Sequence, residues 1–376
     1  MRIGAIAAAT CALLMALAAA APAATPPSAC TRAISEEEAS APVAALERTR
    51  AVEALADMVD RLYLDRPKAS AVAASLRKKL ARGGYDGDSD PKALAAALSS
   101  DLVKATGDQH FRVRSRIVEA TPAIADAKDD ASARKARFDQ FRREAAYDGY
   151  GLSRVEILPG NVGYLRVEEF WDPAVSGPAF AGAMNALART DALIIDLRDS
   201  YGGHEGLAEL LMGYLLDRQA LLFVTTNRLT GETEQHWSQA FVPGERVNSS
   251  APVYVLISHR KTFSAAEMLA LVLRQHRSAI LVGETTRGGA HGGDFRPISC
   301  RFDAFVPYYT ATAGGVDWEG VGVAPDIRTP EASALDVAYA AALASLTQTP
   351  ADDAFAKEVR EERLADLAKL KEAPLR

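Results

Sequence analysis

Cysteine is scarce in this chain of 376 residues: it has three, Cys11, Cys30 and Cys300. Three thiols this far apart do not suggest a metal centre built on cysteine. Basic runs are missing too. The formal net charge is −6 and the pI is near 5.7, so nothing offers a nucleic acid backbone a matching face. No apolar run beyond the first two dozen residues is long enough to span a bilayer, and no internal repeat is evident. What remains is 48% hydrophobic and 24% charged, a globular composition with room for one large domain or two smaller ones.

The single long apolar run lies at the start. Arg2 precedes a stretch of Ala, Leu and Met from Ile6 to Ala21, and Ala21-Pro22-Ala23 has the small-x-small pattern of a cleavage site. This predicts a signal peptide over residues 1–23 and an exported soluble protein, periplasmic or secreted. No lipobox precedes Cys30. Cleavage would leave Cys30 and Cys300, which either form one disulfide or stay as separate thiols.

Helical spacing dominates the first third. Val43, Leu46, Val52, Leu55, Met58, Val59 and Leu62 recur at that period, Pro67 breaks it, and further helices are expected over 69–80 and from Asp90 to about Ala105. Residues 33–118 therefore read as a small helical domain, 119–149 as a connector with an exposed helix near 134–146, 150–332 as the core, and 333–376 as C-terminal helices. Within the core, apolar strands around 155–158, 162–167, 193–197, 220–225, 252–257 and 280–282 alternate with helical stretches, which indicates an α/β fold. Asp196, inside an apolar strand, reads as a buried carboxylate paired with Arg198 or loop N–H groups, and His236 and His276 read as surface residues.

One junction stands out. Pro252-Val-Tyr-Val-Leu-Ile257 is a buried strand, and Ala265, Met268, Leu269, Val272 and Leu273 form the apolar stripe of a helix. Ser264 sits where the strand's exit loop enters that helix, among unpaired N–H groups at its positive end. Two readings fit. Ser264-x-x-Glu267 is a capping box, and Ser264 is also placed to attack a carbonyl whose oxyanion the N–H groups would hold.

Three other loops leave strands of the same core. They are Asp196-Leu-Arg-Asp-Ser-Tyr-Gly-Gly203, Val282-Gly-Glu-Thr-Thr-Arg-Gly-Gly289 with its continuation to His291, and Trp318-Glu-Gly-Val-Gly-Val-Ala-Pro-Asp326. With Thr262-Phe-Ser-Ala-Ala-Glu267 they resemble, in the same order, the motifs of the tail-specific (C-terminal processing) serine peptidases, peptidase family S41. This family includes the tricorn protease core and the interphotoreceptor retinoid-binding repeats. The resemblance covers residues 150–330 and extends more loosely to the N-terminal helices. It implies a ββα spiral core similar to the Clp protease and crotonase superfamily.

The resemblance also implies Ser264 as nucleophile and an oxyanion hole of backbone N–H groups from Gly202 or Gly203 and from Ala265. One branch of the family takes a lysine base from the loop matching residues 285–293, and that loop has no lysine here. Arg287 cannot replace it, because a guanidinium stays protonated. The branch similar to tricorn, which lacks a PDZ domain, uses a histidine ahead of the core. His110 in Gly107-Asp-Gln-His-Phe111 matches that position, with Glu319 as orienting acid and His291 as the rival base. Gln109 stands where tricorn-like enzymes carry a linking serine. Glu267 reads as the capping partner of Ser264 or a turn ligand. The implied activity is hydrolysis of peptides or unfolded proteins with neither metal nor cofactor. The alternatives are a carrier of apolar ligands on the same fold and an esterase or amidase.

Overall fold

The computed structural model describes residues 34–116, 131–348 and 352–372. The expected signal peptide, residues 119–130 of the connector and Cys30 lie outside the described residues. Cys300 is disulfide-bonded, and both of the chain's other cysteines lie outside the described residues.

Helices α1 (Glu36–Ser40), α2 (Ala45–Leu62), α3 (Arg66–Ala81) and α4 (Pro91–Thr106) come first. Asp65 and Asp90 cap α3 and α4 by accepting from Lys68 N and Ala93 N, and each of these helices has proline in its first turn. Gly107, at φ 81°, ends α4, and the chain turns into β1 (Arg112–Ser115). These helices do not close a core of their own. Val52, Leu55, Leu94 and Leu98 share one cluster with Phe111 and Val113 and with Phe302, Ala304 and Val306 from far along the chain. The expected helical domain is thus one half of a layer completed by a sheet.

After α5 (Ala131–Tyr147), which lies in the expected connector, the core opens with the antiparallel pair β2 (Leu152–Leu158) and β3 (Val162–Val167). Next come α6 (Pro173–Leu187), β4 (Ala192–Asp196), α7 (Glu205–Leu215), and the hairpin β5 (Leu221–Asn227) and β6 (Thr233–Trp237). The remaining elements are β7 (Val253–Ile257), α8 (Ala265–Arg277), β8 (Ile280–Gly283), β9 (His291–Pro297), β10 (Phe302–Thr312), β11 (Ile327–Arg328), α9 (Ala334–Thr347) and α10 (Ala354–Glu372).

Two sheets result. The first runs β11-β8-β7-β4-β3-β2, parallel except for β2 at the edge. Its inner strands β3, β4, β7 and β8 are buried on both faces, which explains their apolar runs. Leu193, Ile195, Val253 and Val255 pack toward α6, α7 and α8, while Ile194, Tyr254 and Leu256 pack toward α9. The second sheet is antiparallel, in the order β1-β10-β5-β6, with β9 also on β10. The long strand β10 joins the N-terminal helices to the core, because its first half pairs with β1 and its second with β5. No helix among the described residues is long and apolar enough to cross a membrane.

Candidate active site

The exit loops of the parallel strands converge on Ser264. After β7, the hydroxyl of Thr262 donates to Leu197 O and accepts from Ser258 N, tying this loop to the one leaving β4. Ser264 itself is strained, at φ 57° and ψ −124°, a conformation that costs a non-glycine residue roughly 1–3 kcal/mol. What holds it is Glu267, one turn into α8 and fully buried. Its carboxylate accepts from Ser264 N at 2.9 Å, Gly288 N at 2.7 Å and Gly289 N at 2.8 Å, and also from the Thr286 hydroxyl. Burial pushes its pKa up, and the four donors pull against that. The cap and turn-ligand readings of Glu267 are therefore both seen, in one side chain that clamps the Ser264 loop to the glycine-rich loop.

Gly202 approaches from the other side. A Cβ there would lie 2.6 Å from Phe263 O and 2.7 Å from Ala265 N, and φ is 84°, so the position requires glycine. Its N–H faces the Ser200 hydroxyl at 3.4 Å. Gly203 N–H and Ala265 N–H, by contrast, have no acceptor among the described residues. Both residues line a cleft of about 50 Å³ with Ser264, Gly289, Ala290 and His291. Its far wall is apolar, formed by Phe223, Met268, Tyr309 and Ala311.

The second half of the site comes from the loop after α4. Asp108, buried, accepts from His110 N at 2.9 Å on one oxygen and meets His291 Nδ1 at 2.7 Å with the other. Burial alone would raise its pKa, but the two histidines outweigh it and hold the carboxyl well below its usual range. His110 Nδ1 is 3.4 Å from the first Asp108 oxygen. Its ring packs on Phe263, the neighbour of Ser264, with centroids 4.4 Å apart, and neither ring nitrogen has a hydrogen-bond partner. Glu319 accepts from Ala290 N at 2.6 Å and His291 N at 3.1 Å, and lies 3.6 Å from His291 Nδ1. Burial and the charge of Asp108 raise the Glu319 pKa. His291 is depressed by burial, but Asp108 and Glu319 bring it out above its ordinary value.

The structure thus brings Ser264, Gly203, Ala265 and His291 to one cleft, with His110 against the same loop and Glu319 behind His291. Gln109 is turned away from the linking role considered for it and accepts from Arg287 Nη2 at 3.2 Å. Asp108 is the residue that sequence reasoning missed. Its signal was faint: an acid two residues before His110, just past a helix end. His236 is not a surface residue. It is wedged between Glu209 and the Thr225 hydroxyl and stacked on Phe223 at 4.1 Å. His204 caps α7, His259 meets Thr285 O, and His276 is exposed. Asp196 pairs with Arg198 through both oxygens and accepts from Tyr164, as expected of a structural carboxylate.

The family model for peptidase family S41 matches residues 161–329. Among curated relatives, carboxyl-terminal-processing peptidase 1 of Arabidopsis thaliana chloroplasts is 30% identical over 185 residues, 48% of this chain and 36% of the relative. The chloroplastic C-terminal processing peptidase of Tetradesmus obliquus is 25% identical over 171 residues, 44% and 35% of the two chains. The matches span about a third of those relatives' lengths. A solved lipoprotein structure from Streptococcus agalactiae superposes with a TM-score of 0.51 at 16% identity, covering 75% of this chain and 92% of that one, a likeness of fold. The four motif loops all fall in the matched stretch, and it is residues 161–329 of this chain that match peptidase family S41.

Proposed function

We propose that the protein is a serine peptidase that hydrolyses peptide bonds of polypeptide substrates. The observation that carries this reading is the strained Ser264, which opens onto a cleft beside two backbone N–H groups that lack an acceptor among the described residues. Ser264 Oγ attacks the scissile carbonyl carbon as its proton passes to His110. The oxyanion is held by Gly203 N–H and Ala265 N–H. Collapse breaks the C–N bond, and His110 returns the proton to the leaving amine. Water then attacks the acyl-enzyme with His110 again as base, releasing the acid and restoring Ser264. Asp108 faces Nδ1 of His110, His291 meets the other Asp108 oxygen, and Glu319 stands behind His291.

The unpartnered nitrogens of His110 and its contact with Phe263 support it as the base. A second reading has its own support, since His291 lines the cleft with Ser264 and takes Asp108 on Nδ1, which leaves Nε2 for the serine. The export expectation belongs to this proposal too, with peptide or unfolded protein outside the cytoplasm as substrate. A fluorophosphonate probe should label wild-type protein and leave Ser264→Ala unlabelled, and hydrolysis of a denatured protein substrate should fall at least ~10³-fold in that variant. Unchanged labelling of Ser264→Ala would sink the reading. Labelling with turnover confined to short acyl esters would make the chain an esterase, and no labelling of wild type would leave the carrier alternative. His110→Ala and His291→Ala decide the base, which is the one whose loss costs the greater share of kcat.

A further inference from the structure

Behind the cleft, Asp108, His291 and Glu319 come from three separate segments: the loop after α4, the start of β9 and the loop after β10. One ligand atom of each lies within 4.8 Å of the other two. The side chains are largely buried, exposed to 2%, 12% and 17% respectively. Two carboxylates meet a single imidazole there, an acid-rich group of donors held away from water. Such an imbalance favours a cation. His110 adds an independent observation. Its side chain is 7% exposed, neither ring nitrogen is hydrogen-bonded, and Nδ1 stands 3.4 Å from Asp108.

We propose that Asp108, His291 and Glu319 form a binding site for a divalent transition-metal ion, of which Zn²⁺ is the best fit, and that its occupancy switches hydrolysis off. One nitrogen with two carboxylate oxygens is a donor set zinc accepts, whereas Ca²⁺ and Mg²⁺ ask for all-oxygen surroundings. Tetrahedral zinc with bonds of about 2.0–2.2 Å keeps its ligand atoms about 3.4 Å apart. His291 Nδ1 already stands 3.6 Å from Glu319, its 2.7 Å contact with Asp108 has to open, and the two carboxylates lie within 4.8 Å of each other. The ion takes the place of the proton on His291 Nδ1, which leaves to solvent, and water supplies the fourth donor. Asp108 is then held by the metal and no longer serves His110. The inhibitory part rests on the hydrolase reading above, and the binding part does not.

Calorimetric titration of the chelator-stripped full chain with Zn²⁺ alone at neutral pH tests this. Expected is one ion per chain for wild type and equally for Ser264→Ala, with binding at least about tenfold weaker in His291→Ala and in the near-isosteric Glu319→Gln. Millimolar Mg²⁺ should not compete. Absence of saturable binding, or binding as tight in both variants, overturns the site. The inhibitory role is read from fluorophosphonate labelling of wild type. One equivalent of Zn²⁺ should slow it at least about tenfold, and chelator should restore it. Labelling unchanged by bound zinc overturns the switch while the site stands. No labelling in zinc-free buffer overturns the hydrolase reading and the switch together, and calorimetry still decides the site.

Discussion

The two halves of the candidate site are built by opposite rules. Around Ser264, the side chains that shape the loop are tied down. Glu267 takes four donors, Thr286 passes a hydrogen bond on to Glu267 and accepts one from Val323 N, and Trp318 Nε1 donates to Gly289 O at 2.8 Å. Around His110, little is tied down: the ring is held by packing on Phe263 and Phe305, and its nitrogens are unpaired. The first half is scaffold, where satisfied polar groups set geometry. On the proposed mechanism the second is the working half, because a base that must collect and return a proton cannot have both nitrogens committed.

The sharpest way to break this contrast is to remove the clamp. Glu267→Ala would leave the N–H groups of Ser264, Gly288 and Gly289 buried without an acceptor. A loss of about 3–5 kcal/mol in denaturant unfolding is expected, with activity falling as the loop relaxes. His110→Ala should do the reverse, lowering kcat by roughly 10²–10⁴-fold while unfolding moves by about 1–2 kcal/mol. If the two variants lose stability and rate in equal proportion, the division into scaffold and working half is wrong.

Gly202→Ala probes the seam between the halves. Its methyl group would meet Phe263 O and Ala265 N at a left-handed backbone position, where strain costs roughly 1–2 kcal/mol. The loop carrying Ser264 has to shift, so turnover should drop by about 10–100-fold while the protein still folds. Wild-type turnover would mean that the oxyanion donors do not depend on this close approach.

The scaffold half was legible in the sequence, and the reason is locality. The strand-to-helix change of period around Ser264, the i, i+3 spacing of Glu267 and the paired glycines at 202 and 203 each report a feature within one turn of chain. The working half was legible only in part. His110 could be placed ahead of the core by resemblance, but Asp108 reaches His291 across 183 positions. No periodicity encodes such a contact. The same blindness misassigned His236, whose burial depends on Glu209 and Phe223 lying on other elements. It also let the N-terminal helices pass for a separate domain, since their partner strand β10 comes about two hundred residues later.

A carboxylate outside both halves provides the smallest and most selective comparison. Glu169, just past the end of β3, is pushed up from 4.5 to about 7, chiefly by burial and secondarily by the charge of Asp148. Between those two values the native chain holds a proton that the unfolded chain has lost. Its contribution to stability is therefore full below pH 4.5 and is lost as pH rises through 7. Glu169→Gln keeps the neutral form at every pH. The variant should match wild type near pH 4.5 and exceed it by about 1–2 kcal/mol at pH 8, given partial solvent access. Thermal melts of both proteins at the two pH values measure the difference. A Glu169→Gln variant no more stable than wild type at pH 8 would mean that Glu169 is ionised at little cost. The end of β3, where Phe170 bridges to Gly203, would then be wetter than its packing implies.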